Sequence, residues 1–551
     1  MKLPKLQSEH SLNSSQHYST LQQNNTLQQT RRFQFRRGAI SELPLSDQIL
    51  FEQFGQGPYA IPEYSCLHTA IEAQAIFMPN QIAAIHEEEK ITYGELNLKA
   101  NQLAFFLQKR GIKQGDAVGI FLTRSIPMLI GILATLKLGA CYVPQHAGVA
   151  PKKVLKHVCE TADVKTVLSL SHLEQHLPEL SHQDLYFLDE LLPELYDSEG
   201  LELPDVEPES RCFILFTSGT TGAPNGVQVT HQNVANIVMT SPGNLGIEPG
   251  MKVGQILSIA FDMCAWEVFV TLCHGATLMI RNRDIEATVS QADAVIATPS
   301  ILASLEAKHC QSIKVAAVAG EPCPQPLADQ WGAFCRFYNA CGPTETTIIN
   351  TAQHYSDQCE ELTIGKPTPN NTVYVLDDNL KPCAIGDVGE MWAGGLCVTA
   401  GYIGNEVLNA DRYRPDPFLG GKHKMFRTRD LGKWTKSGEL LHLGRTDDQV
   451  KILGFRVELD SVSRVLEKTE NCHQAVTMKV DCKTLIAFVT PAQVCESEAQ
   501  NQVKKHLPYY CVPSTVIALD SLPKTSRGKI DKRALMAHYE KSQLAITEET
   551  Q

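Results

Sequence analysis

Leu215-Phe-Thr-Ser-Gly-Thr-Thr-Gly-Ala-Pro-Asn-Gly226 is the stretch that decides how this chain is read. It follows an apolar run, Cys212 to Phe216, of the kind that makes a short buried strand. Three glycines and four hydroxyls then fall within Thr217 to Gly226. Glycine lets a backbone turn sharply and approach a ligand closely. Successive N–H groups in such a turn make an anion-binding concavity, to which Ser and Thr hydroxyls add donors. A triphosphate suits it, although a Gly/Ser/Thr loop by itself reads equally well as a surface turn. It is not a Walker A loop, because G-x-x-x-x-G-K-[ST] does not occur in the chain.

Other stretches follow in order: Leu136-Lys-Leu-Gly-Ala-Cys-Tyr-Val-Pro144, Phe261-Asp-Met-Cys-Ala-Trp-Glu267, Asn339-Ala-Cys-Gly-Pro-Thr-Glu-Thr346, Phe426-Arg-Thr-Arg-Asp430, Gly444-Arg-Thr-Asp-Asp-Gln-Val-Lys451 and Ser526-Arg-Gly-Lys-Ile-Asp531. With the glycine-rich loop, they resemble the core motifs of amino-acid adenylation domains of nonribosomal peptide synthetases, within the adenylate-forming (ANL) superfamily. The resemblance spans roughly residues 61 to 540. It implies an α/β fold: a large N-terminal domain of mostly parallel sheets covered by helices, and a small α+β C-terminal lid. The residues agree. Thr92 and Glu95 read as a capping box. Ala117–Leu122 reads as a buried strand, Pro127 to Leu138 as a helix, and such signals alternate to about residue 330. Strands are expected at Val476–Val480 and Leu485–Val489. The expected organisation is a leader over 1–60, disordered at its start, a large subdomain over 61–444, a lid over 445–540 and a tail over 541–551.

Bulk properties narrow the function. The net charge of −12 offers no general attraction to nucleic acid or an anionic membrane. No run approaches the length needed to span a bilayer, and no signal-peptide core lies near the start. The 17 cysteines are scattered without a C-x-x-C pair, and they read as reduced, mostly buried residues of a cytoplasmic protein. The first 40 residues hold Lys2, Lys5, Arg31, Arg32, Arg36 and Arg37 against Glu9 alone. That segment is an uncommitted extension or a docking tail for an acidic partner. No carrier-protein serine motif, condensation motif or thioesterase elbow is found, so a freestanding adenylating enzyme is expected.

Joining a carboxylate to the α-phosphate of ATP brings two anions together, which needs charge neutralisation and positioning more than an acid or base. The resemblance implies ATP and Mg²⁺ as cofactors. It places Glu345 and Thr217 as metal and phosphate ligands, with Lys529, inserted by the lid, as the catalytic cation. Thr217, Ser218, Gly219, Thr220, Thr221, Gly222, Asn339, Ala340, Cys341, Gly342, Thr344, Asp430 and Arg445 are the implied ATP-binding set, Asp430 receiving the ribose hydroxyls. Asp447 is the implied hinge. Asp262 matches the carboxylate that pairs with an α-ammonium, which aryl-acid and fatty-acid ligases lack. Met263, Trp266, Ile296, Ala317, Ala319, Ala340, Ile348 and Ile349 would line the side-chain pocket. All are apolar, so a charged side chain would enter at a cost. The expected reaction is activation of an apolar amino acid as its adenylate, then transfer to the phosphopantetheine thiol of a separate carrier protein. A D-alanine–carrier ligase, an acid–CoA ligase and a catalytically quiet binding protein remain alternatives.

Several positions depart from the family pattern. Asn225 stands for a loop lysine, Cys341 for a tyrosine, Arg429 for a glycine, Lys433 for an arginine, Leu453 for an arginine and Asp460-Ser461 for Gly-Glu. They gather at the nucleotide pocket and the lid.

Overall fold

Short apolar runs in this chain are buried along their whole length, which is what a parallel sheet covered on both faces demands. Ala117–Phe121 and Cys141–Gln145 have no exposed position. The computed structural model describes residues 35–196, 203–218, 223–524 and 530–549. In it these strands lie side by side in a seven-stranded sheet. Five of its strands are parallel, ending at β1 (Arg211–Thr217), and β2 (Asn225–Thr230) turns back antiparallel beside β1. A nine-stranded sheet has a parallel centre and antiparallel edges. Helix α1 (Asp262–Leu272) is buried along its length and packs on this second sheet. Strand β3 (Arg336–Cys341) lies in the same sheet.

A third, antiparallel sheet carries β4 (Lys424–Trp434), paired with β5 (Leu440–Arg445). The chain then enters a small domain. It begins with a hairpin of β6 (Gln449–Ile452) and β7 (Phe455–Glu458), followed by a three-stranded sheet with its own helices. Ile452, Val457, Val462, Leu466, Ala487, Val489 and Val503 form a core of their own there. The fold class read from the sequence is the one observed.

Local signals act as their chemistry requires. Thr92 Oγ1 accepts from Glu95 N–H at 3.2 Å, and the Glu95 carboxylate accepts from Thr92 N–H at 2.9 Å. The expected 127–138 helix runs from Ile126 to Lys137, with the Ser125 side chain accepting from Met128 N–H. The two expected lid strands run Gln474–Lys479 and Leu485–Thr490. Nine of the cysteines are buried.

Both ends of the chain bear on the expected organisation. The disorder expected over residues 1 to about 30 lies outside the described residues, but the later part of the leader is ordered structure. Phe35, Ile40 and Phe51 pack against Tyr374, Trp392 and Phe418, with the Phe51 and Tyr374 rings stacked 5.8 Å apart. Aromatic rings are large hydrophobic payloads, and Phe35 and Phe51 bring two of them to this cluster. At the other end, the last helix runs Lys532–Glu549 and takes in most of the expected tail. That stretch has no glycine or proline and is rich in helix-forming residues.

Candidate functional site

The strand ends of the large domain and the hairpin of the small one enclose a cavity of about 550 Å³. Each element delivers a side chain by local geometry. Asp262 opens α1 and is buried. Burial raises its carboxyl above the ordinary value, against a hydrogen bond donated by Thr344 and the nearby Lys451 ammonium. Glu345 sits in the tight turn Thr344–Thr346 just beyond β3. Thr347 and Ile348 follow at φ +55° and +68°, a left-handed pair that reverses the chain. A Cβ on Gly342 would lie 2.7 Å from the Ile349 Cα, so only glycine allows the returning backbone this close. Asp430 pairs across the strands with Arg445, beside a bulge.

The polar contacts make a connected network. Arg445 Nη1 donates to Asp430 at 2.6 Å, and its Nε to Asp447 at 2.8 Å. His442 Nε2 lies 3.3 Å from the same Asp430 oxygen. Burial alone would raise the Asp430 carboxyl, but His442 and Arg445 hold it below its ordinary value. Glu345 has no solvent exposure. It accepts from the Tyr402 hydroxyl at 2.5 Å and from Arg456 Nη1 at 3.0 and 2.9 Å, one bond to each oxygen. Burial pushes its carboxyl up, and Arg456, Arg412 and Tyr402 outweigh that, leaving it below the usual range. Lys451 stands close enough to Asp262 and Asp430 to feel both, while burial and Arg456 depress its ammonium.

The hairpin is seated by packing as well. Phe455 lies between Phe261 of the large domain, 4.5 Å away, and Tyr510, stacked at 3.7 Å. Ser218 Oγ donates to the Arg456 carbonyl at 3.0 Å. The turn is Leu453-Gly454, both at positive φ, and a Cβ on Gly454 would lie 2.7 Å from Thr298 Cγ2.

Most of the residues singled out in the sequence converge here. Thr217, Ser218, Asp262, Met263, Ala319, Asn339, Ala340, Cys341, Gly342, Thr344, Ile348, Asp430, Arg445 and Asp447 all line the cavity. Gly219, Thr220, Thr221, Gly222 and Lys529 lie outside the described residues. Four expected pocket residues are buried away from the cavity wall. Trp266 is turned into the core, its indole N–H donating to the Gly243 carbonyl at 2.7 Å. Ile296, Ala317 and Ile349 are fully enclosed within or beside the sheet. Burial pushes the Cys341 thiol up to about 12, so it serves as a neutral wall residue.

The departures have local reasons. Arg429 sits at φ +63°, a conformation that favours glycine, and its guanidinium is held by Asp411 at 2.9 Å. Asn225 Oδ1 accepts from Asn405 at 3.0 Å. Sequence reading missed Arg456, Tyr402, Lys451 and His442. Arg456 was detectable as a cation two residues past a Gly turn, but its partner lies 111 residues away.

As arranged here, Glu345 and Thr217 do not make a metal site. Both Glu345 oxygens are engaged by Arg456, and among the described residues no group of three or more His, Cys, Asp or Glu side chains could hold a metal ion. No helix among the described residues is long and apolar enough to cross a membrane.

Residues 71–403 match the family model of the AMP-binding enzymes, and residues 469–529 that of the AMP-binding enzyme C-terminal domain. An adenylate-forming reductase of Coprinopsis cinerea is 41% identical over 501 residues, covering 90% of this chain and 49% of its own length. Tyrocidine synthase 1 of Brevibacillus parabrevis is 32% identical over 507 residues, covering 88% of this chain and 46% of its own. The chain thus spans about half the length of these curated relatives. In fold it is similar to an artificially fused adenylation–PCP di-domain from Klebsiella oxytoca, with a TM-score of 0.75 at 23% identity, covering 83% of this chain and 94% of that one. With the AMP-binding enzyme model matched over residues 71–403 and its C-terminal domain model over 469–529, the protein belongs to the AMP-binding enzyme family, within the adenylate-forming (ANL) superfamily.

Proposed function

We propose that this chain activates an amino acid with ATP, forming the aminoacyl-adenylate and releasing pyrophosphate, and passes the acyl group to a thiol on a carrier protein. The observation that carries this reading is the convergence of Asp262 and Asp430 on one cavity beside Thr217 and Ser218, with Glu345 buried next to Thr344 of its wall. Asp262 is the discriminating group. A buried carboxylate whose ionised form is disfavoured awaits a cation, and an α-ammonium supplies one. Asp430 offers two acceptor oxygens for a pair of ribose hydroxyls once Arg445 and His442 have fixed its orientation. The hydroxyl loop would hold the phosphates, and Lys529 would neutralise charge where the carboxylate attacks the α-phosphate. The wall of Met263, Ala319, Ala340 and Ile348 favours an apolar side chain of medium size. Trp266 does not contribute to that wall.

A second reading concerns the acceptor. Relatives at 41% and 40% identity carry the name adenylate-forming reductase, and each is about twice as long as this chain. The activated acyl group would then go on to reduction rather than to a peptide bond. The same assay tests both activation readings: substrate-dependent exchange of pyrophosphate into ATP, across amino acids, aryl acids and fatty acids. Exchange with an apolar amino acid is expected. Exchange only with acids lacking an ammonium would sink the amino-acid reading, and silence with every acid would sink the enzyme reading.

A further inference from the structure

Leu257 is held at its N–H by one charged side chain and at its carbonyl by another. The Glu267 carboxylate accepts from the Leu257 N–H at 3.2 and 3.3 Å, and from the Ile256 N–H at 2.8 Å. Arg124 Nη1 donates to the Leu257 carbonyl at 3.2 Å, and Gln255 Nε2 to the same carbonyl at 2.8 Å. Gln255 Nε2 also reaches Glu267 at 3.2 Å. Glu267 has no solvent exposure and does not line the cavity. It joins the two ends of a loop that does. Ser258, Ala260 and Phe261 stand on the cavity wall, and the loop they form leads into Asp262 at the head of α1. Glu267 lies further along that helix and reaches back to the residues just before the loop. The segment that aims Asp262 is thus closed into a ring by one carboxylate.

Every bond that Glu267 makes here is one it accepts. An ionised carboxylate only accepts, whereas a protonated one must place an O–H somewhere. In this setting the O–H would meet a backbone N–H or the Gln255 amide nitrogen, donor against donor. Turning the amide over gives no relief, because its oxygen would then face the Leu257 carbonyl. Burial works the other way and pushes the Glu267 carboxyl up to about 8, against the bonds from Ile256, Leu257 and Gln255 and the charge of Arg124. Arg124 ahead of the helix Ile126–Lys137, Arg281 after the strand Thr277–Ile280 and the Cys264 thiol of α1 are the titratable groups set against it. The strand Lys252–Gln255 brings the Gln255 amide.

We infer that Glu267 is a positioning residue for the substrate's ammonium: ionised, it braces the wall from Leu257 to Phe261 so that Asp262 is presented to the amino acid, and protonated, it loosens that wall. This rests on the reading of Asp262 as the partner of the ammonium. Binding of the amino acid then strengthens as pH rises through the titration of Glu267. ATP, which the same reading places at Asp430 and Thr217, does not feel the change.

Two measurements on the full chain test this, one without turnover and one with it. The amide resonances of Ile256 and Leu257, in protein carrying ¹⁵N-labelled isoleucine and leucine, report Glu267 directly. They should move together through about pH 8 in the wild type and stay still in Glu267→Gln. In amino-acid-dependent pyrophosphate exchange, KM for the amino acid should fall about tenfold from about pH 7 to about pH 9, the size of one hydrogen bond to a charged group. KM for ATP and kcat should change little. Glu267→Gln keeps an oxygen for the two N–H groups but sets an NH₂ against Gln255, so it should show the high KM at every pH. The substrate's own ammonium titrates alike in both proteins and cancels in their ratio. Ile256 and Leu257 amides that ignore pH in the wild type overturn the inference whatever the activity, and that measurement needs no variant to fold. So does a Glu267→Gln protein whose KM for the amino acid still falls with pH, or whose KM for ATP rises as much. Absence of exchange with every acid would sink the proposed reaction instead, and the two amides would still decide the brace.

Discussion

The two sides of the cavity are made differently. On the large-domain side, carboxylates are fixed by regular structure: Asp262 by the first turn of α1, Glu345 by the turn after β3, Asp430 by a cross-strand pair. On the other side, the cations Lys451 and Arg456 ride on a two-stranded hairpin whose turn holds two left-handed residues. The rigid side supplies charges that cannot leave. The hairpin side supplies counter-charges that a modest displacement would withdraw.

The comparison breaks most visibly at Asp262. Asp262→Ala should lower kcat/KM for amino-acid-dependent pyrophosphate exchange by about 100-fold or more, since a desolvated charge pair is worth several kcal/mol. An acid without an ammonium should lose far less, and equal losses for both would remove the ammonium role.

Acid should separate the two sides. His68 and His231 are buried behind the large-domain sheets, with their rings 5.5 Å apart. Burial pushes them down from 6.5 to about 4 and about 3. A depressed histidine favours the folded state above pH 6.5, and that advantage is lost as pH falls toward 4 and then 3, because the unfolded chain takes up the protons first. The lid has no buried histidine among the described residues. All four tryptophans lie before residue 445. Urea unfolding followed by their fluorescence should lose on the order of 6 kcal/mol between neutral pH and pH 4, about 3 from each histidine, and His68→Leu should flatten that slope.

The hairpin is tested by Gly454→Ala. The added methyl meets Thr298 and must adopt φ +83°, so unseating by about tenfold is expected, read as faster exchange of the hairpin amides. Pyrophosphate exchange by the same variant shows whether activation depends on the seat. Smallest of the expected effects is Arg429→Gly. Relief of the left-handed arginine opposes loss of the partly exposed pair with Asp411, for a net gain on the order of 0.5 kcal/mol in urea unfolding.

Much of this was legible from the chain. Parallel strands announce themselves as short apolar runs, and Asp262, Glu345 and Asp430 were each marked by a local motif. What sequence could not show is pairing across distance. Arg456 sits near a glycine turn like many arginines, and nothing local says that it will reach Glu345. Trp266 had the right spacing for a pocket residue, but a helix buried on all sides gives its indole a choice of directions, and the Gly243 carbonyl decided it. Phe35 and Phe51 lay in a segment whose polar start hides a few aromatic anchors. Their value depends on Tyr374 and Phe418, more than 300 residues later.

The separation of Glu345 from Arg456 also bears on synthesis. With 111 residues between them, the carboxylate leaves the ribosome on the order of 10 s before the arginine at ordinary translation rates. For that interval a nascent large domain lacks the guanidinium that bonds both Glu345 oxygens, and only Tyr402 and Arg412 offset the charge of the turn after β3. A ribosome pause after residue 445 would therefore hold the protein in a form that has Tyr402 and Arg412 beside Glu345 but lacks the hairpin arginine that bonds both its oxygens.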